Sequence, residues 1–248
     1  MKKILYSVIS AILLFLGSAC EKDKTEYKAT ANINVINATI GTGAVKVNPG
    51  AGSGFSYAAA TSLPTYTASM YGAFTGNNAV TVVSATDTTK TLFQRSIDLQ
   101  PISTLYLSGQ APTVDTMFRV EQNLPYIAAA VANPDNSVCI RFVNLSPNSV
   151  PLSINIKSTT TVPNEVTALP YKGISPFKKY DALTTTPNYV FEIRNAATNA
   201  ILFTTQAYTI ANIRYKTISF VIKGLMPPYP VGTATADQIG VFQINYTG

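Results

Sequence analysis

Apolar positions along this chain come in short runs, many of them alternating with polar positions, and each run closes in a turn cluster such as Asn48-Pro49-Gly50, Thr86-Asp87-Thr88 or Ala197-Thr198-Asn199. Alternation with a period of two puts every second side chain on the same face, which predicts strands. Beyond the leader no stretch sustains a 3.6-residue period. The strongest helical suspect, Tyr126 to Ala132, lies between Pro125 and Pro134 and reads as a linker or connecting strand.

The runs also repeat in order. Ile33-Asn34-Val35-Ile36-Asn37-Ala38-Thr39 recurs as Ile140-Arg141-Phe142-Val143-Asn144-Leu145-Ser146. Ser69 to Phe74 is matched by Lys178 to Leu183, Val80 to Val83 by Val190 to Ile193, and Leu92-Phe93 by Leu202-Phe203. Leu105 to Gly109 then answers Phe220 to Gly224, and Met117 to Val120 answers Val241 to Ile244. A shared order of this length argues for duplication. The expected fold is all-β, with two tandem antiparallel β-sandwiches over residues 29–124 and 137–248 and a linker at 125–136. Each repeat has roughly 100 residues, the size at which such a sandwich buries its own core without disulfides. Each is expected to fold as its own unit.

The N-terminus carries a different pattern. Lys2 and Lys3 precede an apolar run from Ile4 to Leu16, and Gly17-Ser18-Ala19-Cys20 follows directly. The run is shorter than the ~20 residues that span a bilayer as a helix, and small residues close it, so residues 1–19 read as a cleaved signal peptide. The segment resembles bacterial lipoprotein signals, whose short box ends at the cysteine that is acylated. It departs from them in having Gly17 where such boxes usually carry Leu, with Leu16 one step earlier; an ordinary signal-peptidase cut near Ala19 is the alternative. The resemblance implies a lipid on Cys20 and a tether over residues 20–28. The charged run Glu21 to Glu26 is similar to the surface-export signals of Bacteroidota-type lipoproteins, and equally to a plain solvated linker.

The repeats carry a resemblance of their own. Cys139-Ile140-Arg141-Phe142-Val143-Asn144-Leu145-Ser146-Pro147 fits the opening motif of a bacterial domain of unknown function that is common in exported lipoproteins, and Ala31 to Thr39 fits it loosely. That family implies an immunoglobulin-like sandwich and an outer-membrane location, possible at the cell surface, and brings no catalytic residues with it.

Composition narrows the chemistry. Only 12% of the chain is charged and its formal net charge is +6, with the basic residues scattered, so neither a nucleic-acid footprint nor a polybasic membrane patch is expected. There are two cysteines; with Cys20 committed to lipid, Cys139 has no disulfide partner and reads as a small strand hydrophobe. The chain contains no histidine, which removes Ser-His-Asp and Cys-His nucleophiles and most zinc ligand sets. Ser175-Pro176-Phe177-Lys178 spells an S-x-x-K motif, but that chemistry needs a helix, and Pro176 sits in strand-rich sequence. No carboxylate pair, phosphate loop or calcium loop stands out, so no catalysis, metal or cofactor is expected.

What remains is binding. Asn37 and Asn144 read as equivalent Asx corners. Asp87-Thr88-Thr89 and Asp115-Thr116-Met117 resemble bacterial O-glycosylation sites, with Thr88 and Thr116 as acceptors. The repeats differ most before their last strand, where Gln110 to Thr116 in the first is answered by the longer Leu225 to Asp237 in the second. Pro227, Pro228 and Pro230 stiffen that loop, and Tyr229 offers an aromatic face to a sugar or peptide. The expected role is a non-catalytic binding or adhesion module held to the membrane through Cys20 and recognising a glycan or a surface protein. The alternative is a passive spacer.

Overall fold

The computed structural model describes residues 28–129, 134–158 and 164–246. Among them the first half forms β1 (Thr30–Asn37), β2 (Val45–Asn48), β3 (Thr67–Phe74), β4 (Gly76–Ser84), β5 (Thr91–Leu99), β6 (Ile102–Ser108) and β7 (Asp115–Val120). The second forms β8 (Ser137–Asn144), β9 (Leu152–Ile156), β10 (Val166–Leu169), β11 (Lys178–Asp181), β12 (Phe191–Asn195), β13 (Ile201–Thr204), β14 (Thr217–Lys223) and β15 (Gly240–Asn245). The one α-helical turn, α1 (Ile210–Ile213), tucks Ile210 and Ile213 into the second core. Residues 126–129 have no regular structure, and the rest of the expected linker lies partly outside the described residues.

The fold is all-β, as the alternation predicts. In the first half a sheet ordered β3-β1-β6-β7 packs on one ordered β2-β4-β5; in the second, β11-β8-β14-β15 packs on β10-β9-β12-β13. Ile33, Val35, Leu105 and Leu107 from one sheet meet Val47, Val80, Val82 and Leu99 from the other. Phe142, Phe220, Ile154 and Phe191 do the same in the second half. The sandwiches are not purely antiparallel. β1 runs parallel to β6, and β8 to β14. Parallel neighbours need a crossover, and here the strands of the facing sheet supply it.

A third apolar layer lies between the halves. The two inner sheets, β3-β1-β6-β7 and β11-β8-β14-β15, face each other, so β8 is buried along its whole length. Equivalence between halves follows from register: Leu105 faces Phe118 as Phe220 faces Gln243. By that measure the layer is built from matched pairs: Ile36 with Val143, Ala38 with Leu145, Tyr106 with Val221, Ala68 with Ile174, and Met117 with Phe242. The edges of the layer are matched too. Tyr66 and Lys172 each sit at φ of about +60°, with their amides donating to the carbonyls of Asn37 and Asn144. Each then reaches an acid of the opposite half, Tyr66 to Asp237 at 2.5 Å and Lys172 to Asp115 at 2.9 Å. The halves are thus related like the two subunits of a twofold dimer, in which one patch meets its own copy.

Register corrects two of the sequence matches. Met117 is equivalent to Phe242 and not to Val241, and Ala73, opposite Ala31, is equivalent to Tyr180, opposite Val138. The first is a shift of one position, which exchanges the faces of β15.

Candidate functional site

The loop from Leu225 to Asp237 is fastened at both ends. Leu225 bridges Gln238 in parallel and its amide donates to the Asp237 carbonyl at 2.8 Å. Asn148 holds Met226 twice, accepting from its amide at 2.8 Å and donating to its carbonyl at 3.2 Å. Lys223 donates to the carbonyls of Ala236 and Gln238, and its ammonium lies 4.2 Å over the Tyr66 ring. Between these fastenings Pro227, Pro228, Pro230 and Val231 are exposed. Tyr229 is half-buried, its ring resting on the second core.

The other candidate positions are scattered. Cys20 lies outside the described residues. Thr88 is exposed in the β4–β5 turn, beside Asp87, whose carboxylate accepts from both the amide and the hydroxyl of Thr89 and is held below the ordinary carboxylate range by those bonds. Thr116 is half-buried within β7. Ser175 and Lys178 are not on a helix: Ser175 accepts from the Phe142 amide, and Lys178 pairs with Glu165. Asn37 and Asn144 do close matching corners, accepting from the amides of Thr39 and Ser146. Cys139 is buried, and burial pushes its thiol up. Among the described residues no cluster of acids and cysteines is arranged to hold a metal. None of their helices is long and apolar enough to cross a membrane.

Sequence reasoning missed the polar part of the central layer. Arg141, 1% exposed, is bidentate to Glu121 at 2.9 and 2.6 Å. It also donates to Ser219 at 2.7 Å, Tyr246 at 2.7 Å and Tyr106 at 3.1 Å, and stacks 4.6 Å over Phe177. Burial works against its charge, but the Glu121 carboxylate outweighs that and holds the guanidinium above its ordinary value. Burial likewise raises the Tyr106 phenol far above its ordinary range.

The matched position in the first half is different. By register Asn34 is equivalent to Arg141, Thr104 to Ser219, and Tyr246 to Glu121. There the inner sheets part to leave an open cleft of about 440 Å³ between the edge strands β3 and β15. Asn34, Met70, Ile102, Gln243, Asn245 and Tyr246 are among its walls, and no lining side chain carries a charge. Asn34 is 8% exposed and its amide has no hydrogen-bond partner; the Thr104 hydroxyl beside it, fully buried, has none either. The available signal was the repeat itself, which sets Asn34 against Arg141 at matched strand positions.

Fold and site together define an all-β protein of stacked sandwiches with a fastened apolar loop and an uncharged cleft. No protein-family model matches the chain, and no curated protein matches it. Among solved structures, a candidate adhesin from Bacteroides ovatus aligns over 89% of this chain and 96% of its own at 10% identity, with a TM-score of 0.22, a likeness too weak to carry an argument.

Proposed function

We propose that the chain is a lipid-anchored protein of the bacterial outer membrane, built from two immunoglobulin-like units, that binds a glycan or protein partner and performs no catalysis. The observation that carries this reading is the loop from Leu225 to Asp237, fixed by hydrogen bonds at each end while its prolines and Val231 stand in solvent. A loop ordered beforehand gives up little conformational entropy when a partner settles on it, and exposed apolar residues gain by being covered. The half-buried ring of Tyr229 favours a second reading, in which the loop only covers the core and the protein is a spacer.

Glycan-array and pull-down screens of the soluble mature protein separate the two. A partner whose affinity drops about tenfold or more with Tyr229→Ala, with the melting temperature nearly unchanged, supports recognition by the loop. A partner indifferent to Tyr229→Ala, and to shortening the loop to the length of Gln110–Thr116, assigns the loop to covering the core. Cys20→Ser tests the anchor: the protein should move from the membrane to the soluble fraction, and retention on the membrane would refute lipidation at that residue.

A further inference from the structure

We infer that the cleft between β3 and β15 is a binding site for a neutral saccharide. The argument starts from the twofold relation of the halves. Five apolar pairs of the central layer match across the halves, while the buried Ile244 is answered by Arg119. The relation also fails at a second set of positions: Arg141, Ser219 and Glu121 form a satisfied polar plug on which the Tyr246 hydroxyl closes, whereas on the matched side Asn34 faces an open cleft. An empty position opposite a filled one is not what packing alone would leave.

The open side has unmet bonding capacity. Asn34, 8% exposed, lines the cleft with an amide that bonds no protein group, while the Thr104 hydroxyl, next to it across the β1–β6 pairing, is fully buried without a partner but is not among the cleft's walls. Buried polar groups in folded proteins are nearly always paired, so a largely buried, unpartnered amide in the wall of a cleft calls for something to pair with. An amide offers two donors and an acceptor at one end, which suits sugar hydroxyls.

The walls select further. Gln243 and Asn245 add amides at the rim, where they bond each other at 2.6 Å, and Met70 and Ile102, 61% and 41% exposed, give apolar surface for the face of a sugar ring. With no lining charge, nothing there offsets the desolvation of an ionic ligand. The volume falls within the range of small-molecule sites. This site extends the binding role but does not rest on the loop, since Tyr229 is not among the cleft's walls.

The test is a glycan array probed with the full chain in detergent, followed by calorimetric titration of the best neutral oligosaccharide. Asn34→Leu puts an apolar side chain in the cleft wall, and Thr104→Val removes a buried hydroxyl outside the walls with little change of shape. Asn34→Leu should weaken neutral-glycan binding about tenfold or more, because sugar hydroxyls would then be left unpaired, and Thr104→Val should change it less than about twofold. Neither should lower the melting temperature, since each removes an unpartnered polar group. Tyr229→Ala should change this affinity less than about twofold, whatever it does to a partner of the loop. The proposal fails if the array captures only acidic glycans, if peptides but no glycans bind, if nothing binds, or if binding is unchanged by Asn34→Leu.

Discussion

At the scale of single residues, the buried pair of Arg141 and Glu121 decides most. Each ion left water to sit between the inner sheets, and the cost is met only because the carboxylate takes two guanidinium bonds while Ser219, Tyr106 and Tyr246 take the rest. Removing one partner is therefore far worse than removing both. Arg141→Met should destabilise the protein by about 3–5 kcal/mol by leaving Glu121 buried with only the half-exposed Arg119 guanidinium 3.5 Å away, and adding Glu121→Leu should restore most of that loss. Urea unfolding of the single and double variants measures it; a double variant no more stable than the single would mean that the plug acts by shape alone.

At the scale of elements, the two edges of the central layer are fastened by different chemistry and should loosen at opposite ends of the pH scale. At the β7 edge burial works against the Asp115 carboxylate, but the Lys172 ammonium and the Thr116 amide hold it below its ordinary value of 3.8. A depressed folded pKa gives stability that is present above the ordinary value and lost as pH falls below it. At the β3 edge burial first, and then the bond to Asp237, raises the Tyr66 phenol far above 10.0. A raised pKa gives stability that is complete below the ordinary value and is lost as pH climbs past it. The stability difference between Asp115→Asn and the unsubstituted protein should therefore shrink below about pH 4, and that of Tyr66→Phe above about pH 10, in urea midpoints followed across pH. The elements themselves were legible in sequence, because period-two alternation and the Asn37 and Asn144 corners are local signals. The registers of β15 and β11 were not: Val241 and Phe242 are both apolar, and only the facing strand decides which of them points into the central layer. The repeat sets Asn34 against Arg141, but the cleft that Asn34 faces was illegible, since what covers a strand on its second face belongs to the other half of the chain.

At the scale of the whole molecule, the question is how far the halves depend on each other. Each has its own core, Phe142, Phe191 and Phe220 in the second and Val35, Val82 and Leu105 in the first, so each has what a sandwich needs to collapse by itself. Each also owns one side of a layer that buries Ile36, Tyr106, Val143 and Val221 completely. The second half alone would expose Val143, Leu145, Val221 and Ile244 as one patch and leave Arg141 without its carboxylate. Because that patch meets its own counterpart in the full chain, a copy of the same half is the nearest substitute for the missing face. A protein of residues 137–248 is therefore expected to be β-rich and folded, to melt below the full chain, and to self-associate as its concentration rises. Circular dichroism and sedimentation velocity check all three. A monomer at every concentration that melts with the full chain would mean that the central layer contributes little, and that the two sandwiches merely touch.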